Sequence, residues 1–237
     1  MSIFVAGLDL GQLGDYTALA IVEATPSTYQ QPYAEMDPEF HLPRTATMQV
    51  EGMPVRHDVR WLERFALHTS YVDICEAVGR RLGRVPGGAE LVIDRTGVGV
   101  AVSDLLNRVG LAHWAVSITA GEKARREGNL LWVPKRDLVG VLRVAADSDR
   151  IGVAPELPAS ELLTQELLGF KVKISTAGND SYGAWRESVH DDLVLAVALA
   201  AWFAEQHYGA AARGQLDAAA QAELDAERDD GLFMPPF

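Results

Sequence analysis

Cysteine is almost absent from this 237-residue chain. The single thiol, Cys75, can form no intramolecular disulfide and has no Cys or His companion at zinc-ligand spacing. A disulfide scaffold and a zinc ribbon are therefore excluded, and a buried helix thiol is expected. A secretory signal and a membrane span are also missing. Residues 1–7 have no basic region ahead of an apolar core, and the apolar run 193–204 is too short to cross a bilayer. A soluble, intracellular protein is expected. Surplus positive charge is lacking as well, with 21 Lys and Arg against 33 Asp and Glu and a formal net charge of −12. Such a balance argues against a protein that grips nucleic acid strongly on its own, because phosphate contacts normally come from surplus Lys and Arg.

What is present is a hydrophobic content of 48% with 23% charged residues, which suits one sizeable α/β domain over residues 1–210. Residues 211–237 read as an acidic, flexible tail. Between Gly214 and Gly231, Asp217, Glu223, Asp225, Glu227, Asp229 and Asp230 stand against Arg228, a net −5 that leaves −7 for the remainder of the chain. No internal repeat is evident.

Along the chain, IFVAGLDLG (3–11) and YTALAIVEA (16–24) read as two strands around a turn holding Gly14 and Asp15. Residues 25–44, with Pro26, Pro32, Pro38 and Pro43, read as an irregular excursion before a third strand at 44–52. The spacing of Leu62, Phe65, Ala66, Val72 and Ile74 predicts a helix over 59–83. A buried strand, a glycine-bearing turn and an amphipathic helix follow over 89–110. With the strand at 113–119 they make a crossover unit whose strands should be parallel. Residues 120–132 form a basic, glycine-punctuated loop, and helices are expected at 134–150 and 158–170. Then 170–175 and 181–186, joined through Gly178 and Asn179, read as a β-hairpin ahead of the last helix.

Acids occupy three comparable stations. Asp9 ends the first strand, Asp94 ends the strand opening the crossover unit, and Asp191 and Asp192 stand beside His190 where the final, apolar helix begins. A structural role is available for each: Asp is common in turns, and Ser188 with Asp191 reads as a capping box. Asp192 is different, because Leu, Val, Ala and Trp surround it and a buried carboxylate needs a cation. In open α/β sheets chemistry gathers at strand ends, and neighbouring strands lie roughly 4.8 Å apart, close enough for their terminal carboxylates to share a metal ion.

The stretches GLDLGQLGDYTALAIVE, LVIDRTGVG and GNDSYGAWRESVHDDLVLAVALAAW, in this order, resemble the nuclease domain of the large terminase subunit of tailed bacteriophages, within the ribonuclease H-like superfamily. The resemblance runs to about residue 207. It implies an α/β fold of ribonuclease H-like type. A central mixed five-stranded sheet would be flanked by helices, with its first three strands antiparallel and the others parallel to the first. The implied activity is metal-dependent endonucleolytic cleavage of double-stranded DNA during genome packaging, with Mg2+ or Mn2+, as two ions, for cofactor. Asp9 would bridge the ions, Asp94 with Asp191 or Asp192 would hold them, and His190 would be an outer ligand or proton carrier. Where related resolvases carry a further Asp, Leu195 stands here. Lys123, Arg125 and Arg126, with Lys171 and Lys173 on the hairpin, are the candidate DNA contacts.

Terminase large subunits join this nuclease to an ATP-driven motor, which needs a GxxxxGK[ST] loop, and this chain has none. The expected partners are therefore double-stranded DNA, a motor on another chain or a removed domain, the small terminase subunit and the portal. The isolated chain would be monomeric and cytoplasmic, in an infected or lysogenic bacterial cell. Two alternatives remain open on the same fold: a stand-alone Holliday-junction resolvase and a non-catalytic assembly protein.

Overall fold

The computed structural model describes residues 2–12, 14–36, 43–176 and 191–210. Its strands are β1 (Ile3–Asp9), β2 (Ala18–Met36), β3 (Pro43–Arg64), β4 (Glu90–Asp94), β5 (Trp114–Thr119), β6 (Arg125–Glu127), β7 (Leu130–Pro134) and β8 (Ile151–Val153). The helices are α1 (Tyr71–Leu82), α2 (Gly99–Arg108), α3 (Lys135–Asp147) and α4 (Ser160–Thr176), followed by α5, residues 192–210. One mixed sheet runs in the order β6-β7-β5-β4-β1-β2-β3-β8. β2 is antiparallel to β1, whereas β4 and β5 follow parallel to it, as the crossover reading requires. The central order β3-β2-β1-β4-β5 holds the five-stranded mixed sheet expected. β6, β7 and β8 enlarge it beyond the five strands expected.

The chain divides into two compact units, Met1–Thr25 with Arg56–Ala204, and Pro26–Val55 with Glu205–Phe237. In the first, β1 is buried on both faces from Val5 to Leu8. Ala6, Leu8, Leu91 and Ile93 meet Ile74, Cys75 and Val78 of α1 and Val102 and Leu106 of α2, so Cys75 is the core thiol expected. Ser70 caps α1 by accepting the Asp73 N–H. On the opposite face α5 lies directly over β1, because Gly7 has no side chain. A Cβ there would fall on the Ala196 carbonyl oxygen. The second unit takes the outer stretches of β2 and β3, and residues 205–210 of α5.

Four expectations need correction. Residues 59–64 belong to β3, with helix starting only at Tyr71. Val55, His57 and Val59 are buried while Arg56 and Arg60 are exposed, the period of two that marks a strand. The excursion at 25–44 is largely strand: β2 reaches Met36, and Pro26 and Pro32 lie beyond Ala24, the last residue paired with β1. One edge is free of β1 there, so a residue without an N–H is tolerated. The basic loop at 120–132 contains β6 and the start of β7, paired antiparallel around Gly128 at φ +60°. Finally, residues 170–175 continue α4 to Thr176 instead of forming the first arm of a hairpin. No proline interrupts that stretch, and a single Gly169 costs a helix only about 1 kcal/mol. The second arm at 181–186 and the turn at Gly178 and Asn179 lie outside the described residues.

Candidate metal centre at the strand ends

Asp9 and Asp94 come together through the sheet itself. β1 and β4 are parallel with Gly7 beside Val92 and Leu8 beside Ile93, and the next pair in that register is Asp9 and Asp94. Adjacent parallel strands place the two Cα atoms about 5 Å apart. Alternation also gives them a common face: Leu8 and Ile93 belong to the α1/α2 core, so Asp9 and Asp94 face α5. Asp94 is only 3% exposed. Its Oδ1 accepts the Thr96 N–H at 2.8 Å, which fixes the carboxylate in the turn leading into α2. That turn is tight, because Gly97 has φ +60° and a Cβ on Gly99 would collide with the Asp94 carbonyl oxygen.

The start of α5 lies at the same end of the sheet. Asp192 is 7% exposed, and its Oδ2 is 3.6 Å from Arg64 Nη2. Arg64 closes β3 and stacks 3.8 Å above the Tyr16 ring. The neighbouring Phe65 N–H bonds to the Thr17 carbonyl, and Ala18, next along, stands opposite Asp9. Asp191 is half-buried, and its carbonyl accepts the Leu195 N–H at 2.9 Å. It is thus the residue that opens the helix, whereas the capping box read from the sequence put Asp191 three residues inside a helix opened by Ser188. His190, like Ser188, lies outside the described residues.

Glu166, from α4, was not anticipated. It is 6% exposed, with Oε2 accepting the Val194 N–H at 3.3 Å and Oε1 3.7 Å from Arg64 Nη1. It therefore satisfies one of the free N–H groups in the first turn of α5 from a neighbouring helix. Burial pushes its carboxyl up to about 7; the Val194 and Leu193 N–H groups and Arg64 pull the other way, while Asp192 adds to the rise. Leu163, one turn earlier, is fully buried, and because residues i and i+3 share a helix face Glu166 lies on the buried side of α4.

The donors are hard carboxylate oxygens, a set suited to Mg2+ or Mn2+, and the register of β1 and β4 brings Asp9 and Asp94 side by side. Among the described residues, however, no group of three or more Asp, Glu, His or Cys is gathered closely enough to hold a metal, and Asp192 faces Arg64.

The proposed DNA contacts divide. Lys123, Arg125 and Arg126 are exposed at the sheet edge. Arg125 stacks 4.3 Å over Trp132 and Arg126 4.4 Å over Trp114. Lys171 and Lys173 belong to α4 and not to a hairpin strand.

No protein-family model and no curated protein matches the chain. Solved structures do. The large terminase nuclease from thermophilic phage G20c is 17% identical, with 84% of this chain and 81% of that one covered and a TM-score of 0.46. The human cytomegalovirus terminase nuclease domain is 15% identical over 87% and 85% of the two chains, TM-score 0.47. Its Mn-soaked form is 14% identical over 84% and 82%, TM-score 0.45.

Proposed function

We propose that the chain is a metal-dependent endonuclease acting on double-stranded DNA in phage genome packaging. The observation that carries this reading is the pairing of Asp9 and Asp94 at the ends of adjacent parallel strands, facing the helix that presents Asp192. Asp9 and Asp94 would hold Mg2+ or Mn2+, completed by Asp192 or Asp191. The bound ions would supply a nucleophilic water at neutral pH and charge stabilisation for the leaving 3′ oxygen. Thr96 holds the Asp94 carboxylate in place through its backbone N–H, and α5 carries its acids on a helix whose following residues are buried. His190 would act as outer ligand or proton carrier. Lys123, Arg125 and Arg126 offer cations to the DNA backbone at the β6 edge. On this reading an ATPase motor chain or domain would deliver the DNA, with the small terminase subunit and portal as further partners in the bacterial cytoplasm. Among the described residues no helix is long and apolar enough to cross a membrane.

Incubating the purified chain with supercoiled plasmid, with and without Mn2+, tests this. Nicking or linearisation should require the metal, and Asp9→Asn and Asp94→Asn should each abolish it without unfolding the chain. A well-folded, fully active Asp94→Asn variant would remove the reading.

A further inference from the structure

Two charged residues beyond the strand-end acids meet at the start of α5: Glu166, which is buried, and Arg64, which is half-buried. Arg64 stands between two carboxylates, 3.6 Å from Asp192 Oδ2 and 3.7 Å from Glu166 Oε1. Both separations lie within ion-pair reach but beyond hydrogen-bond length, and among the described residues neither Arg64 Nε nor Glu166 Oε1 makes a hydrogen bond. The guanidinium is therefore shared by charge and not locked onto either acid. Its plane is held by the Tyr16 ring at 3.8 Å. Glu166 is fixed independently, through the Val194 N–H of the helix that carries Asp192.

Resting on the metal-site reading above, we propose that Arg64 is an internal counter-ion that occupies Asp192 until a divalent cation binds. Glu166 is the positioning carboxylate that retains the guanidinium once Asp192 is released. The physical requirement is that no buried charge be stranded. An unpaired buried Arg or Asp is costly, so a metal site using Asp192 needs a second acid for Arg64, and Glu166 is already beside it. This accounts for an acid on the buried face of α4. It also accounts for Asp192 facing a cation instead of joining Asp9 and Asp94.

Calorimetric titration with Mn2+ alone, supported by the spin-resonance signal of free Mn2+, separates the possibilities. The double variant Arg64→Gln/Glu166→Gln keeps the side-chain shapes and removes the competing cation together with its second partner. It should bind Mn2+ about tenfold more tightly than wild type, the scale expected when a like charge leaves a binding site. Glu166→Gln alone should bind several-fold more weakly, because Arg64 is then left with Asp192. Metal-free unfolding temperatures report on folding. Double-variant affinity at or below the wild-type value, while Asp9→Asn still weakens binding, overturns the counter-ion role and leaves the metal site standing. Wild-type affinity that Asp9→Asn does not change overturns the metal site and this inference with it. Should the double variant fail to fold, Glu166→Gln decides, and binding as tight as wild type overturns the proposal.

Discussion

At the scale of single residues, Glu166 makes the site's electrostatics measurable in the metal-free protein. Its carboxyl is raised from an ordinary 4.5 to about 7, chiefly by burial, so the folded state holds its proton more tightly than the unfolded one. The resulting stabilisation is complete below about pH 4.5 and is lost as pH rises through about 7, for a total on the order of 3 kcal/mol. Denaturant unfolding across this range should show that fall, and Glu166→Gln, which cannot ionise, should flatten it. An identical slope in both proteins would contradict the assignment. The strand-end acids were legible in the sequence because each ends a short apolar strand, where Asp has no packing reason to stand. Glu166 and Arg64 were hidden. One sits in an apparently ordinary amphipathic helix, and the other ends VRWLER, whose Leu62 and Phe65 mimic helical spacing. The alternation of Val55, His57 and Val59 was the better signal, but all of it except Val59 lies upstream of the segment read as helix.

Elements explain which parts of the fold could be foreseen. β1, β4, β5 and the part of β2 up to Ala24 are short apolar runs bounded by turn residues, and parallel pairing of β1, β4 and β5 follows from the intervening helices. β8 has three residues and β6 three exposed ones, too few to carry a period, so both are set by tertiary pairing. The 170–175 stretch, with its β-branched Val172 and Ile174, looks like a strand by composition, yet it is the continuation of α4. The close approach of α5 to β1 rests on a single missing side chain. Gly7→Ala should cost about 3 kcal/mol or more, because the obstacle is the backbone at Ala196 and cannot rotate away. A thermal unfolding midpoint within a degree of wild type would show that the helix can retreat at little cost. The edge strand β6 makes the opposite case. Arg125→Ala with Arg126→Ala removes two exposed cation–π stacks, each worth about 0.5–1 kcal/mol. Unfolding should change little, while the logarithmic salt slope of DNA binding should shrink by roughly 0.9 for each phosphate no longer neutralised. A salt slope that stays the same would remove these arginines from the DNA surface.

For the whole molecule, charge decides how the proposed site meets its substrate. A net −12 repels a polyanion. The few exposed cations at the β6 edge release few counterions, so the isolated chain should bind DNA weakly and with a shallow dependence on salt. Nearly half of that charge, −5, lies between Gly214 and Gly231, beyond the described residues. Removing 214–237 should therefore strengthen DNA binding by relieving long-range repulsion, and the gain should fade as salt shortens the screening length to about 8 Å at physiological ionic strength. Fluorescence anisotropy of a labelled duplex, titrated with the intact and truncated chains at several salt concentrations, measures both effects. If the intact chain binds tightly at physiological salt and truncation changes nothing, charge is not what limits encounter. The proposed need for a separate motor to deliver DNA would then have lost its physical basis.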